Sequence, residues 1–158
     1  MKSILFVLVV GACILTGALW MEPGTGEPLS FGKDEEWSGE GFTRAKLDAI
    51  TKLTGVKFPE GAEGVELFYQ GSGLDDALAA KVRIPRQGME EFSGNTVFSE
   101  GEAAAPRMEA GKGKAWWKVR ELEERIDRKQ SLPDARFLEV SVGKEGEEMV
   151  VYLSWFST

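Results

Sequence analysis

The sequence predicts an α+β fold, in which tandem α-β-β units form a four-stranded antiparallel sheet with helices packed on one face. Side chains alternate over residues 77–84, with Leu78 and Val82 on one side and Lys81 and Arg83 on the other. Two pairs of apolar runs are each joined by a short loop that contains glycine, which predicts two hairpins. Apolar residues at helical spacing precede each pair.

The first unit is predicted to begin with a helix. Thr43 is a suitable N-cap, and Phe42 before it can pack on Leu47 as a hydrophobic staple. Gly55 supplies the left-handed residue that commonly ends a helix. The apolar face of this helix consists of Leu47, Ile50 and Leu53.

The first hairpin follows this helix. Its strands are predicted over residues 65–70 and 77–84, and the loop 71–76 between them is rich in glycine and aspartate. Pro85 ends the second strand. A short helix over residues 86–92 then completes the first unit.

The second unit is predicted to open with a helix over residues 116–129, because Val119, Leu122 and Ile126 recur at helical spacing. Two acidic–basic pairs at i,i+4 support it: Glu121–Arg125 and Glu124–Arg128. Residues 99–114, before the helix, contain mainly Gly, Ala and Glu and predict a mobile surface loop.

The second hairpin closes the chain. Its strands are predicted over residues 136–142 and 148–156, with a turn at 143–146. Together with the first hairpin it supplies the four strands of the predicted sheet.

The first 21 residues predict export. Residues 4–21 form an apolar run behind Lys2, typical of a signal peptide or an N-terminal membrane anchor. Positive charge before the run and none just after it place the rest of the chain outside the cytoplasm. Three fates remain open: cleavage, retention as an anchor in the membrane, and acylation of Cys13, because residues 10–13 resemble the lipobox of bacterial lipoproteins.

The remainder divides into a linker and a domain. Residues 22–41 are rich in Gly, Pro and acidic side chains and predict a flexible acidic linker. Residues 42–158 are long enough for one core and predict a single extracytoplasmic α+β domain. Trp37 is the one large apolar side chain of the predicted linker, and it can dock on the domain.

Composition excludes several functions. The formal net charge of −7 disfavours nucleic acid as a partner, because phosphate binding needs clustered Lys and Arg. The chain has no histidine, which removes the usual neutral-pH general base and the commonest zinc ligand. Its only cysteine is Cys13, so the domain has neither a disulfide nor a thiolate metal site. We therefore expect no catalytic residue, no cofactor and no metal.

Two pairs of neighbouring residues are candidate sites. Asp75 and Asp76 can bind a cation or act as a general acid, but a turn in which they bond nearby backbone is the better interpretation. Trp116 and Trp117 lie about 100° apart on a helix, so one of them can be exposed and contact a partner. The alternative is that both cover the sheet as large core residues.

Four short motifs resemble a loose group of small bacterial exported proteins without assigned function, many of them membrane-anchored or lipoproteins. The motifs are Phe58-Pro59-Glu60-Gly61-Ala62, Gly73-Leu74-Asp75-Asp76-Ala77-Leu78, Trp116-Trp117 and Val151-Tyr152-Leu153. This resemblance covers about residues 55–156. It implies a domain of the bacterial cell envelope outside the cytoplasm and carries over no catalytic residue.

The function expected from these observations is that of a non-enzymatic, membrane-tethered binding or accessory module that contacts an envelope protein. Trp116 and Trp117 are the candidate contact residues. Two alternatives are a carbohydrate-binding module that uses exposed aromatic side chains and a hydrolase that uses Asp75 or Asp76.

Overall fold

The computed structural model describes residues 29, 33–71, 75–98 and 110–158, which form a six-stranded antiparallel sheet. The strands are β1 (Glu35–Ser38), β2 (Glu63–Gln70), β3 (Ala77–Ile84), β4 (Glu123–Leu132), β5 (Arg136–Glu145) and β6 (Glu148–Ser157). Their order across the sheet is β1-β2-β3-β6-β5-β4. The described helices are α1 (Arg44–Thr54) and α2 (Met89–Ser93), with single 3₁₀ turns at Gly39–Gly41, Arg86–Gly88, Thr96–Phe98 and Val119–Glu121.

The predicted fold class is wrong. The chain is mostly β, with six strands and two short helices, and not a four-stranded sheet of tandem α-β-β units with helices packed on one face. The two additional strands are β1 and β4, and they form the two outer edges of the described sheet.

Strand β1 lies inside the segment assigned to a flexible linker. It pairs with β2, and Trp37 lies opposite Leu67 on the same face of the sheet. The Lys46 ammonium lies 4.0 Å from the centroid of the Trp37 ring, a cation–π contact with α1. Trp37 therefore fastens residues 35–38 to the domain.

Strand β4 replaces most of the helix predicted over residues 116–129, and that helix prediction is wrong. The predicted pairs at i,i+4 do not form; Arg125 lies instead 3.1 Å from Asp127, two residues along an extended chain. Polar residues occupy both faces of β4 because an edge strand needs little apolar surface. Helix-like spacing of a few apolar residues did not outweigh pairing with β5.

The hairpins and α1 confirm the corresponding predictions. Strands β2 and β3 pair over 63–84, and β5 and β6 pair from Arg136↔Ser157 to Glu145↔Glu148. Gly55 ends α1 with φ of 76°. Thr43 stands at the N-cap, but its side chain makes no capping hydrogen bond.

The main core lies between the sheet and the two helices, on the face we call the helical face. Leu47 and Ile50 of α1 and Phe92 of α2 are at most 1% exposed there. They pack with apolar side chains from the inner strands: Leu67, Tyr69, Leu78, Ala80, Val82, Ile84, Leu138, Val140, Val151, Leu153 and Trp155.

Residues 110–122 pack on the opposite side, which we call the second face. Trp116, Trp117 and Val119 cover a smaller apolar cluster formed by Leu122, Val150 and Tyr152. Both sides of β6 are therefore buried, which accounts for its continuous run of buried residues from Val150 to Phe156.

Within the described residues, no helix has both the length and the apolarity to cross a membrane. The predicted segment 4–21, with Cys13 in it, lies outside those residues.

Candidate functional site

The second face carries the tryptophan pair singled out in the sequence. The Trp117 ring meets the Tyr152 ring edge-on, with centroids 5.2 Å apart and an interplanar angle of 84°. Gly111 lies against the same ring, since a Cβ atom there would fall 2.2 Å from it. Glycine at 111 thus allows the backbone to approach Trp117, and the indole is held between Gly111 and Tyr152.

Trp116 is half-buried beside Trp117. The two ring centroids lie 5.6 Å apart with an interplanar angle of 73°, so the pair does not form the flat platform that stacks on a sugar. Both tryptophans cover the second face, as in the core interpretation, and both keep some exposed surface. The predicted helical placement is absent, because residues 110–118 form turns.

A surface hollow of about 290 Å³ opens beside Trp117. Its charged lining comes from Lys112, Lys118, Arg120 and Glu121. Lys118 lies 3.7 Å from Glu121, with both side chains at least half exposed, so this ion pair is weak. In the part of the chain that the structure describes, neither Lys112 nor Arg120 has a carboxylate partner. The hollow therefore combines an indole with an excess of positive charge.

Lys114 ties residues 110–122 to the β1 edge of the sheet. Its ammonium pairs with the Glu36 carboxylate of β1 and lies 3.9 Å from the Phe68 ring centroid of β2. The segment thus spans the second face from β1 to the centre of the sheet, and its turns are fixed at two points.

An ion pair lies beneath the tryptophans. Lys81 Nζ of β3 is 2.7 Å from Glu145 Oε2, with 14% and 26% of the two side chains exposed. The Tyr152 hydroxyl donates to Glu145 Oε1 and also lies 3.1 Å from the Trp116 carbonyl oxygen. Burial raises the pKa of Glu145, but the hydrogen bonds from Lys81 and Tyr152 and the Lys81 charge lower it by more, so its pKa lies below the usual range. Burial, and then Glu145, raise the pKa of Tyr152.

Asp76 lies in a structural contact. The Tyr69 hydroxyl donates to Asp76 Oδ2 at 3.0 Å, and the carboxyl is 7% exposed. The backbone N–H of Ser157 donates to the Asp76 carbonyl oxygen at 2.9 Å, so the β2–β3 loop is tied to the end of β6. Burial and the Asp76 carboxylate raise the pKa of Tyr69. Asp75, by contrast, is exposed.

We expect Tyr69→Phe to lower the free energy of unfolding by about 1–2 kcal/mol, since it removes a donor from a buried carboxylate. Urea denaturation of the full chain in neutral detergent, followed by tryptophan fluorescence, measures this change. The control is Glu60→Gln at an exposed carboxyl away from this contact, with an expected change below about 0.5 kcal/mol. Equal losses in the two variants would contradict a specific role for the Tyr69–Asp76 contact.

Among the described residues, no three His, Cys, Asp or Glu side chains come together as metal ligands. No family model matches the sequence, and no curated protein and no solved structure matches it.

The basic hollow was not predicted, although its residues carry a signal. Four of the nine residues from 112 to 120 are Lys or Arg, in a chain whose net charge is −7. Residues 111–114 belong to the segment 99–114 that is predicted to be a mobile surface loop. That Gly111 packs under Trp117 depends on the fold and has no local signature.

Proposed function

We propose that this chain is a non-enzymatic binding module of the bacterial cell envelope, exported or tethered to the membrane through residues 4–21. Its hollow beside Trp117 binds an acidic, partly apolar segment of an envelope protein. The observation that carries the proposal is the combination of an indole with three basic side chains, Lys112, Lys118 and Arg120, in one surface hollow.

Charge complementarity favours an acidic partner. Carboxylates form their strongest hydrogen bonds with Lys and Arg, and two of the three cations have no carboxylate partner among the described residues. Trp117 adds apolar surface that a peptide side chain can cover, and tryptophan and arginine are enriched at the energetic centres of interfaces. Because the rest of the chain is acidic, the hollow also orients an acidic partner toward one face.

The rigid setting of the hollow supports binding. Trp117 is held by Gly111 and Tyr152, and Lys114, between Gly111 and Trp117 in the chain, pairs with Glu36 of β1. A site that is already ordered loses less conformational entropy when a ligand binds.

A defined probe tests the proposal. The full chain in neutral detergent is titrated with a dye-labelled ten-residue peptide of alternating glutamate and leucine. We expect saturable binding that weakens with salt, and at least a tenfold loss of affinity in the double variant Lys112→Glu/Arg120→Glu. The corresponding lysine–leucine peptide should not bind.

The control is Lys52→Glu/Lys57→Glu, which makes the same change in net charge at exposed positions outside the hollow. If this control loses as much affinity as the hollow variant, binding depends on overall charge and the assigned site is wrong. In cells, the same two variants can be compared by crosslinking a C-terminally tagged chain: a genuine envelope partner is lost only from the hollow variant.

A further inference from the structure

We propose that the outer edge of β4 pairs antiparallel with β4 of a second copy of this chain, with the two-fold axis at Ile126. The result is a symmetric dimer in which the sheets of both copies are continuous. This interface is separate from the hollow on the second face.

The first observation is the position of β4. It is a ten-residue strand at the end of the strand order, and in the described part of the chain its one sheet partner is β5. In an antiparallel sheet, backbone N–H and C=O groups point alternately to the two sides of a strand, so a long edge strand can accept a further strand. The other described edge strand, β1, has four residues.

The second observation is Ile126. It is 54% exposed and is the one large apolar side chain of the described residues with such exposure. It lies on the helical face at a groove of about 180 Å³, whose apolar lining also includes Met89, Phe92, Phe98, Val142 and Met149. Residues directly opposite in an antiparallel pair lie on the same face with Cβ atoms about 5 Å apart. An axis at Ile126 therefore places the isoleucines of the two copies in contact. Each lies beside a groove whose flexible methionine side chains can adjust to the added isoleucine.

The third observation is the order of charges along β4, which reads Glu-Glu-Arg-Ile-Asp-Arg-Lys over residues 123–129. When this strand pairs antiparallel with itself about Ile126, the two charged residues on each side of Ile126 face residues of opposite sign. The pairs are Glu124–Arg128 and Arg125–Asp127, each formed twice. Glu123 and Lys129 lie on opposite faces of the sheet because the register of β4 shifts between Glu123 and Ile126, so they do not form a third pair.

The charges select one register. A two-fold axis midway between neighbouring residues is excluded by the pleat, because it would set side chains of opposite faces directly across from each other. An axis at Arg125 or at Asp127 would place that residue opposite its own copy. Like charges directly opposite destabilise a strand pair, so each of these neighbouring registers is disfavoured.

The central side chains are available and share a face. Glu124, Ile126 and Arg128 all line the groove, which places them on the helical face, even though β4 is irregular between Glu123 and Ile126. The Glu124 side chain is 71% exposed and touches Lys144. Arg128 is exposed, and its guanidinium donates to the Asp127 carbonyl oxygen at 3.4 Å. In the dimer, Glu124 of the second copy therefore gives Arg128 a carboxylate partner, which Arg128 lacks among the described residues of a single copy.

Charged side chains on an edge strand commonly prevent pairing with other sheets. Here these charges disfavour pairing with an unrelated edge strand. They favour pairing with a second β4, because residues at equal distances on either side of Ile126 have opposite charges. They therefore give specificity for a second copy of this chain.

Charge reversal tests the register. Sedimentation of the full chain in neutral detergent at low salt should show a dimer, whereas Glu124→Arg and Arg128→Glu should each be monomeric, because each places like charges opposite one another. The double variant Glu124→Arg/Arg128→Glu should dimerise again. An equal mixture of the two single variants should form a heterodimer, because Arg at 124 of one copy then faces Glu at 128 of the other.

This design separates the interface from folding and from other contacts. Misfolded single variants would not recover on mixing, and a dimer held by the apolar residues 4–21 would persist in both. A monomeric wild-type chain, or single variants that dimerise as the wild type does, would overturn the proposal. The single variants should keep the affinity for the glutamate–leucine peptide, so failure of the hollow is recognised separately.

Disulfide formation gives a second measurement. In a Cys13→Ser background, a cysteine introduced by Ile126→Cys should oxidise to a covalent dimer, because the two copies of position 126 face each other. Ser131→Cys is the control on the same strand: in this register its two copies are ten positions apart, about 33 Å. At least a tenfold excess of crosslinking at 126 supports the axis, and equal crosslinking at both positions overturns it.

Discussion

Replacing Gly64 by alanine is expected to lower the free energy of unfolding by about 3 kcal/mol, the upper end of the usual cost of overpacking. Gly64 lies in β2, where the Phe42 ring covers its Cα. A Cβ atom at this position would fall 2.2 to 2.6 Å from three ring atoms. Phe42 is 4% exposed and belongs to the main core, so the ring has little freedom to retreat.

Gly41→Ala is the matched control. Its nearest neighbours are side-chain atoms of Trp37 at 3.8 and 3.9 Å, an ordinary contact distance, so we expect a change below about 0.5 kcal/mol. Urea denaturation of the full chain in neutral detergent measures both variants. A loss below about 1 kcal/mol for Gly64→Ala would contradict the close packing of Phe42 on β2.

A double-mutant cycle assigns the cost to the ring. In a Phe42→Ala background, Gly64→Ala should cost less than about 1 kcal/mol, because the group that it displaces is gone. Costs that simply add would mean that alanine disturbs the strand itself, at the irregular pairing between Gly64 and Glu66.

The two hairpins could be predicted because their strands are half or fully buried. In β3, Leu78 and Val82 face the helical core while Lys81 and Arg83 face the other side, which gives the period of two. A strand with one buried face requires apolar and polar residues to alternate, and this alternation is visible in the sequence. Helix α1 is recognisable for a similar reason, from its apolar face and from Gly55 at its end.

The edge strands could not be predicted because little in them is buried. Of the residues of β4, Gln130 alone is buried, and Ile126 is the most exposed large apolar residue described. Its charges at i,i+4 are typical of a helix, and only the free edge of β5 makes the segment a strand. Strand β1 is equally short of apolar residues, and Trp37 is its one large apolar side chain.

The candidate site was predicted in part. Trp116 and Trp117 were predicted as candidate contact residues. The orientation of their rings could not be predicted, because it depends on Gly111 and on Tyr152, which lies 35 residues after Trp117 in the chain. The charge order of β4 is readable in the sequence, yet it has meaning only once the segment is known to be an edge strand. The structural role of the tryptophan pair and of the charges in β4 is thus set by contacts with residues that are distant in the sequence.

Lys81→Met is expected to lower the free energy of unfolding by about 2 kcal/mol at pH 7. Removing one partner of a buried ion pair costs about 3–5 kcal/mol, and the partial exposure of Lys81 and Glu145 reduces that figure. Methionine keeps the apolar stem of lysine, so the loss reports mainly the charge. The Tyr152 hydroxyl remains as the donor to Glu145 in the variant.

The dependence on pH identifies Glu145 as the partner. Its pKa in the folded chain lies below the reference value of 4.5, so the ionised carboxylate stabilises the fold above pH 4.5 and this contribution is lost as the pH falls through the lowered pKa. The difference between wild type and Lys81→Met should therefore be largest near pH 7 and fall below about 1 kcal/mol at pH 3. Denaturation curves at pH 7, 5 and 3 measure it.

Arg83→Met is the control on the same strand and face. Arg83 is 41% exposed and pairs with Glu63 and Glu148, which are more exposed still, so its removal should cost below about 1 kcal/mol at pH 7. If Lys81→Met costs the same at pH 3 as at pH 7, the lysine acts through packing and not through Glu145. If Lys81 and Arg83 cost the same at pH 7, cover by Trp116 and Trp117 does not strengthen the buried pair, and the second face is more hydrated than its packing indicates.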